Sequence, residues 1–264
     1  MVRLMPFAQL ARSAVFWVLA ALAAGSGNAT QLAYEPVALG WSADEVERAT
    51  VGNVTAILQR AERSGQLGCR RHCERLDRIF TRLVADARTQ TARANALPWS
   101  LTVVQLPEVE AMALPGGQVV ISETFINERT PSDEALAFVL AHEMAHSILE
   151  HERQALTFAR MLLPRHVSRT VQDMYAEMDF NYALLKAMEP VVQQGELEAD
   201  ELGLLLASVA GFVPDRQLAF IEEEAARHDV QASLVSTHPA ARVRLEQLQL
   251  RLPLAWRLWF AATD

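Results

Sequence analysis

The sequence predicts an α+β fold that is mostly helical and contains a small β-sheet. Apolar residues recur at helical spacing over most of the chain, and two short segments rich in β-branched residues, 101–104 and 118–121, interrupt them. The chain has 264 residues, of which 51% are apolar and 21% are charged, so it can bury a substantial core. Because no internal repeat is visible, we expect a single domain.

The charge of the chain excludes one class of partner. The formal net charge is -8, and no dense stripe of lysine and arginine occurs. A surface that follows a phosphate backbone needs an excess of basic residues. We therefore expect no nucleic-acid partner.

The first 29 residues differ in composition from the rest. Arg3 and Arg12 are their only charged residues, and an apolar run at 14–24 leads into the small residues 25–29. Eleven apolar residues are too few to cross a hydrocarbon layer of about 30 Å, but they fit a secretory signal. Residues 1–29 are thus predicted as a removable signal that gives a periplasmic or secreted protein. The alternative is an N-terminal anchor in the inner membrane, facing the periplasm.

Two helices are predicted after this segment. Ser42 and Glu45 have the spacing of a capping box, and the helix that they begin should continue to about Arg63. A second helical pattern ends near Thr89 and includes both cysteines, Cys69 and Cys73. Their i,i+4 spacing on one helix face would allow a disulfide, but they are equally well two small apolar residues.

The remaining elements are a sheet of two to four strands and a series of helices. Helices are expected from Ser132 onward, with breaks at Pro164, Pro190 and 211–214, up to a last helix over 239–251. Residues 253–264 form an aromatic C-terminal tail, predicted either to pack on the domain or to contact a membrane surface or an envelope protein.

The most informative segment is an apolar helix that contains three ionisable residues. His142 and His146 are one turn apart and can place two imidazoles on one cation, with Glu143 beside them. A second predicted helix offers Glu196, which would complete a ligand set with one open position, as in catalytic zinc sites. Asp200 can then accept the remaining N–H group of a ligand histidine. The alternative for this acidic cluster is a solvated helix face.

Four ordered segments resemble a family of zinc metallopeptidases that includes HtpX, the CAAX prenyl protease and the periplasmic BepA-like enzymes, which are gluzincins. The resemblance covers more than half of the chain, from about Ala111 to Leu248. It is carried by residues 113–120, 140–146, 196–203 and 237–239 followed by Arg244. Glu123 and Thr124 depart from it, since a Gly-Leu pair is commoner at that place.

The resemblance implies a metallopeptidase domain over 30–252, with its small sheet next to the active-site helix. One zinc ion would be bound by His142, His146 and Glu196, and Glu143 would activate a zinc-bound water. The expected substrates are unfolded or extended polypeptides, such as misfolded or envelope proteins.

Two further residues, His238 and Arg244, are candidates for stabilising the oxyanion. For His238 two alternatives remain open: it caps the last helix, or it takes the fourth zinc position and keeps the enzyme latent. The strand near 112–120, which contains Pro115, Gly116 and Gly117, is expected to bind an extended substrate, unless these three residues are only a tight turn.

Two rival functions use the same residues. A non-haem iron oxygenase also has two histidines and one carboxylate, although it normally takes them from strands. A non-proteolytic envelope chaperone or binding protein would keep the metal site for stability, but the presence of Glu143 argues against it. His151 is predicted to lie near the site or at the surface rather than to bind the metal, because it is rotated off the metal-facing side.

Overall fold

The computed structural model describes residues 40–164, 167–226 and 238–263. Over these ranges it contains eleven helices and a three-stranded sheet, which confirms the mostly helical α+β prediction. None of the helices in the described part of the chain combines the length and the hydropathy that a membrane span requires. The predicted signal, residues 1–29, lies outside the described residues.

The first helix, α1, covers Ala43–Arg63 and begins with the predicted capping box. The Glu45 amide donates to Ser42 Oγ at 3.2 Å, and Glu45 Oε2 accepts from the Ser42 amide at 2.7 Å. Two hydrogen-bonding groups at the start of the helix are satisfied in this way, as the sequence predicted.

The second helix begins later than its sequence pattern suggested. Helix α2 covers Cys73–Gln90 and the short helix α3 covers Ala92–Ala96, so Cys69 lies outside any helix. Cys69 and Cys73 form a disulfide with a Cα–Cα distance of 5.5 Å. The prediction that both lie on one helix face is therefore wrong. The chain turns between the two cysteines, and this turn brings their Cα atoms close together without a shared helix.

The sheet has the order β1-β3-β2, with strands β1 Ser100–Val104, β2 Ala111–Leu114 and β3 Gln118–Ser122. Strand β1 is parallel to β3, and β2 is antiparallel to it, so β2 lies at one edge. Gly116 and Gly117, with φ angles of +90° and +82°, form the turn between β2 and β3. Only glycine adopts such angles without strain.

Five helices follow the sheet: α4 Glu123–Arg129, α5 Asp133–Leu149, α6 His151–Leu162, α7 Val171–Phe180 and α8 Tyr182–Val209. Pro190 lies inside α8, so the break predicted there is wrong. Met188 before the proline and Val192 after it belong to the same apolar cluster. This packing stabilises the helix on both sides of the proline, although the proline provides no N–H group.

The last three helices are α9 Pro214–Gln217, α10 Ala219–Ala226 and α11 Ala241–Thr263. Helix α11 continues through Pro253, so the predicted end near residue 251 is wrong. Trp256 Nε1 donates to Asp215 Oδ1 at 2.9 Å, and Trp259 Nε1 donates to the Gly211 carbonyl at 3.1 Å. The aromatic segment 253–263 thus packs on the domain as part of its last helix.

The core has a main part around α5, a smaller cluster beside it, and a third cluster between α1 and the sheet. Helix α5 is buried on nearly all sides, and Leu136, Leu140 and Met144 are completely inaccessible. The smaller cluster joins apolar residues of α1, α6, α7 and the first half of α8. Helices α6 and α7 therefore pack against α1.

Candidate metal centre

The site is built where α8 crosses α5 at very short distance. A Cβ atom on Gly203 would lie 2.9 Å from both the backbone nitrogen and the Cα atom of His142. No side chain fits at that separation, so glycine lets the two helices approach closely. The sequence showed Gly203 only as the last residue of a motif, and its packing role was missed.

The structure brings the three predicted ligands together. His142 Nε2 and His146 Nε2 are 3.1 Å apart, and each lies 3.5 Å from an oxygen of Glu196. In a tetrahedral zinc site with bonds of about 2.1 Å, the donor atoms lie about 3.4 Å from one another. The three residues thus fit one zinc ion in both donor type and spacing, and a fourth position is left for another ligand.

Behind the ligands, Asp200 is 1% exposed and joins two partners. Its Oδ1 atom lies 2.9 Å from His142 Nδ1, and Arg244 donates to its two oxygens at 2.7 and 2.6 Å. Arg244 was predicted to stabilise the oxyanion, but its guanidinium is buried and holds Asp200 instead. That interpretation is corrected, because a guanidinium held on Asp200 is not directed at a substrate.

His238 faces the site from the segment before α11. Its Nδ1 atom lies 2.6 Å from Glu196 Oε2, and its side chain is 62% exposed. The hydrogen bond to Glu196 raises the pKa of His238. The ring is therefore directed at the metal ligands, which does not favour the helix-capping alternative.

Burial and neighbouring charges set the ionisation of the other groups. Burial raises the pKa of Glu143, and the neighbouring backbone of Ala113 acts in the opposite direction. Burial lowers the pKa of His146 well below 6.5. Burial acts in the same direction on His142, but hydrogen bonds to Asp200 and Glu196 outweigh it and raise the pKa of His142 to about 10. For Glu196, burial is outweighed by hydrogen bonds from His142 and His238, which lower its pKa.

The proposed substrate strand lies beside the active-site helix. Strand β2 packs against α5, and Pro115, Gly116 and Gly117 form the turn that follows it. The turn alternative for these three residues is thus realised in the structure, next to the edge strand β2.

Glu123 is a buried residue whose role was missed. It is 1% exposed, and its carboxylate accepts from the backbone amides of Arg70, Arg71 and His72 at 3.0, 2.5 and 2.8 Å. These amides precede α2, whose N-cap residue His72 provides no side-chain hydrogen bond. Glu123 therefore caps α2 from a distant part of the chain. The only indication of this role in the sequence was the position of an acidic residue between a buried strand and a helix.

Comparisons with known proteins agree with this geometry. Mitochondrial metalloendopeptidase OMA1 of Saccharomyces cerevisiae is 32% identical over 197 residues, which are 69% of this chain and 56% of that protein. The protein of the same name from Schizosaccharomyces pombe is 29% identical over 187 residues, 68% of this chain and 53% of that one. The beta-barrel assembly-enhancing protease of Escherichia coli is 24% identical over 61% of this chain and 36% of its own length. The chain spans about half the length of the two OMA1 proteins.

The comparisons also correct the predicted location. Both OMA1 relatives are named as mitochondrial proteins, so the prediction of a periplasmic or secreted protein, or of one anchored in the inner membrane facing the periplasm, is contradicted.

The family of this chain follows from a family model that matches the part of the chain containing the site. The model described as Peptidase family M48 matches residues 70–252, which include every ligand, Asp200 and Arg244. This is more than half of the chain, and the zinc-fitting donor set lies within it. The chain therefore belongs to peptidase family M48.

Proposed function

We propose that this chain is a zinc-dependent metalloendopeptidase that hydrolyses internal peptide bonds of unfolded or extended polypeptides. The observation that supports this most is the convergence of His142, His146 and Glu196 at the separations of a tetrahedral zinc site, with Glu143 beside them. The names of the relatives, metalloendopeptidases and a protease, point to the same activity.

Glu143 is the base in this mechanism. Zinc, when bound, supplies a Lewis acid that lowers the pKa of water to about 7 and polarises the peptide carbonyl. The Glu143 carboxylate takes a proton from the attacking water and later gives it to the leaving amine. Its pKa is raised by burial, which makes it a better proton acceptor than an exposed glutamate.

Asp200 and Arg244 prepare His142 for its role as a ligand. A neutral imidazole has one N–H group and one lone pair, and a hydrogen bond from Nδ1 to Asp200 leaves the lone pair on Nε2. Arg244 fixes the Asp200 carboxylate through two hydrogen bonds. We therefore assign positioning roles to both residues, with no contact to substrate.

His238 is proposed to stabilise the oxyanion of the tetrahedral intermediate. Its ring lies at the edge of the ligand set, and its exposed side chain is accessible to a bound substrate. The alternative is that His238 takes the fourth position and keeps the enzyme latent. His238→Ala separates the two roles: the variant is slower than wild type if His238 stabilises the oxyanion, and faster if it is a latch.

Substrate is proposed to bind as an added strand along β2. The Ser122 amide donates to the Glu110 carbonyl, so Glu110 and every second residue after it direct their backbone groups to β3. In that register the backbone groups of Ala111 and Ala113 point to the open edge. The backbone of Ala113 also lies near enough to Glu143 to influence its pKa. A substrate paired there would pass beside the base, and the glycine turn would permit close backbone approach.

Casein digestion by wild type and by Glu143→Gln, with zinc content measured in both, tests this function. We expect equal zinc content, and cleavage by wild type alone. Cleavage at the same rate by both proteins would exclude Glu143 as the base. Zinc-loaded wild type that cleaves neither casein nor an unfolded protein would instead favour a non-proteolytic binding function.

A further inference from the structure

His151 lies five residues after His146 and contacts its ring on the side away from the ligand set. The two Nδ1 atoms are 2.9 Å apart, and the rings meet edge to face with centroids 4.9 Å apart. His151 Nε2 lies 3.4 Å from Glu198 Oε2, and Gln194 Nε2 donates to the other oxygen of Glu198 at 2.9 Å. The side chains of His151 and Glu198 are only 10% and 12% exposed.

We propose that His151 and Glu198 form a hydrogen-bonded relay that positions His146 as a metal ligand. The proposal rests on the proposed function only in taking His146 as a ligand through Nε2. His151 would support His146 as Asp200 supports His142. The difference is that the imidazole ring of His151 lies between the ligand His146 and the carboxylate of Glu198.

The positions of the protons allow one consistent arrangement. His146 Nε2 faces Glu196 and His142 Nε2, so the lone pair on Nε2 is the one that would bind the metal. A neutral His146 with a lone pair on Nε2 carries its proton on Nδ1. That N–H group needs an acceptor, and His151 Nδ1 accepts if His151 carries its own proton on Nε2. The Nε2–H group of His151 then points to the Glu198 carboxylate. Each donor in the row thus has an acceptor.

The two ligand histidines are therefore supported in different ways. Asp200 contacts His142 directly from α8, whereas His146 is too far along α5 for the same residue and is reached through α6. Gly195 lies beside the His151 ring, which a Cβ atom there would meet at an ordinary contact distance of 3.4 Å. A side chain longer than that of alanine at Gly195 would displace the ring from His146.

Zinc affinity measured by competition with a chelator tests the relay. Hydrogen-bonding partners of ligand histidines typically change metal affinity by about 10- to 100-fold. We expect a loss of that size in His151→Phe, which keeps a ring but has no acceptor. His151→Gln, whose amide oxygen accepts from His146, should retain most of the affinity. His72→Phe is the matched control, because His72 contacts Asn127 away from the site.

A second measurement reads the tautomer itself. In the zinc-loaded wild type, ¹⁵N NMR should show His146 protonated at Nδ1. Wild-type zinc affinity in His151→Phe, or an equal loss in His151→Gln and His151→Phe, would overturn the proposal. If His151→Phe does not fold, Glu198→Leu leaves both rings in place, and unchanged affinity and tautomer there would overturn it. A zinc-loaded wild type without peptidase activity would refute the proposed function but leave these measurements decisive for the relay.

Discussion

Arg244 and Asp200 form a buried ion pair with two hydrogen bonds, in which the guanidinium contacts both carboxylate oxygens at 2.7 and 2.6 Å. The same carboxylate contacts His142 Nδ1 at 2.9 Å. The last helix is thereby connected to a metal ligand on α5 through one residue of α8. A change at Arg244 should consequently alter both the fold and the site.

Replacing Arg244 with methionine should destabilise the protein and weaken zinc binding together. The variant leaves the Asp200 carboxylate buried without its cation, and breaking one side of a buried pair costs about 3–5 kcal/mol. Zinc affinity should fall by about 10-fold or more, since Asp200 is no longer held against His142. Urea unfolding and chelator competition measure the two effects. Arg242→Met, on the same helix with an 84% exposed side chain, is the control and should change neither.

Gly203→Ala tests whether the close contact between α5 and α8 is required. The new Cβ atom would lie 2.9 Å from backbone atoms of His142, which cannot move without moving the helix. We expect a loss of about 1–3 kcal/mol despite the better helix propensity of alanine. Thermal unfolding measures the loss. Gly195→Ala on the same helix is the control, since its Cβ atom meets only the His151 side chain, at 3.4 Å. Equal stability of the two variants would contradict the packing argument.

The features predicted correctly from the sequence depend on local spacing. The capping box of α1 needs only Ser42 and Glu45, and the pairing of His142 with His146 needs only one helical turn. Glu196 is 50 or more residues away from these ligands, but its own motif and the apolar helix that follows identified it. In each case a short pattern within one segment, supported for Glu196 by the family resemblance, was enough.

The features that were missed depend on contacts between distant segments. Glu123 caps α2 across a separation of 51 to 53 residues, and no local pattern links the two. Arg244 was assigned to the oxyanion because its partner, 44 residues away, was not visible in the sequence. Pro190 was read as a break because propensity alone disfavours it, whereas packing on both sides maintains the helix.

The capping of α2 by Glu123 should make stability depend on pH. Burial alone would raise the pKa of Glu123, but hydrogen bonds from the amides of 70–72 and from Gln105 lower it below 4.5. A lowered folded-state pKa gives stability that is complete above the unfolded value and is lost as the pH falls through the folded value.

Glu123→Gln should therefore be less stable than wild type by about 2 kcal/mol at neutral pH. The difference should shrink as the pH falls from 4.5 through the lower folded-state pKa, because the wild-type carboxylate becomes protonated over that range. Urea unfolding at several pH values measures it. Glu128→Gln, an exposed position on the same helix, controls for the loss of one charge. A difference that stays constant down to the lowest pH at which the protein folds would disprove the charge-based capping.

If the substrate pairs with β2 as an added strand, every second amide of the substrate backbone should contribute to binding. Ala111 and Ala113 offer their backbone groups to the open edge, whereas those of Met112 are directed to β3. A series of peptide substrates, each N-methylated at one successive position, tests this pattern. Methylation of an amide that pairs with the edge should lower kcat/KM by about tenfold, the equivalent of one hydrogen bond. Methylation of the next amide, which points away from β2, should have little effect. A uniform loss at all positions would indicate that side-chain pockets, rather than an added strand, hold the substrate.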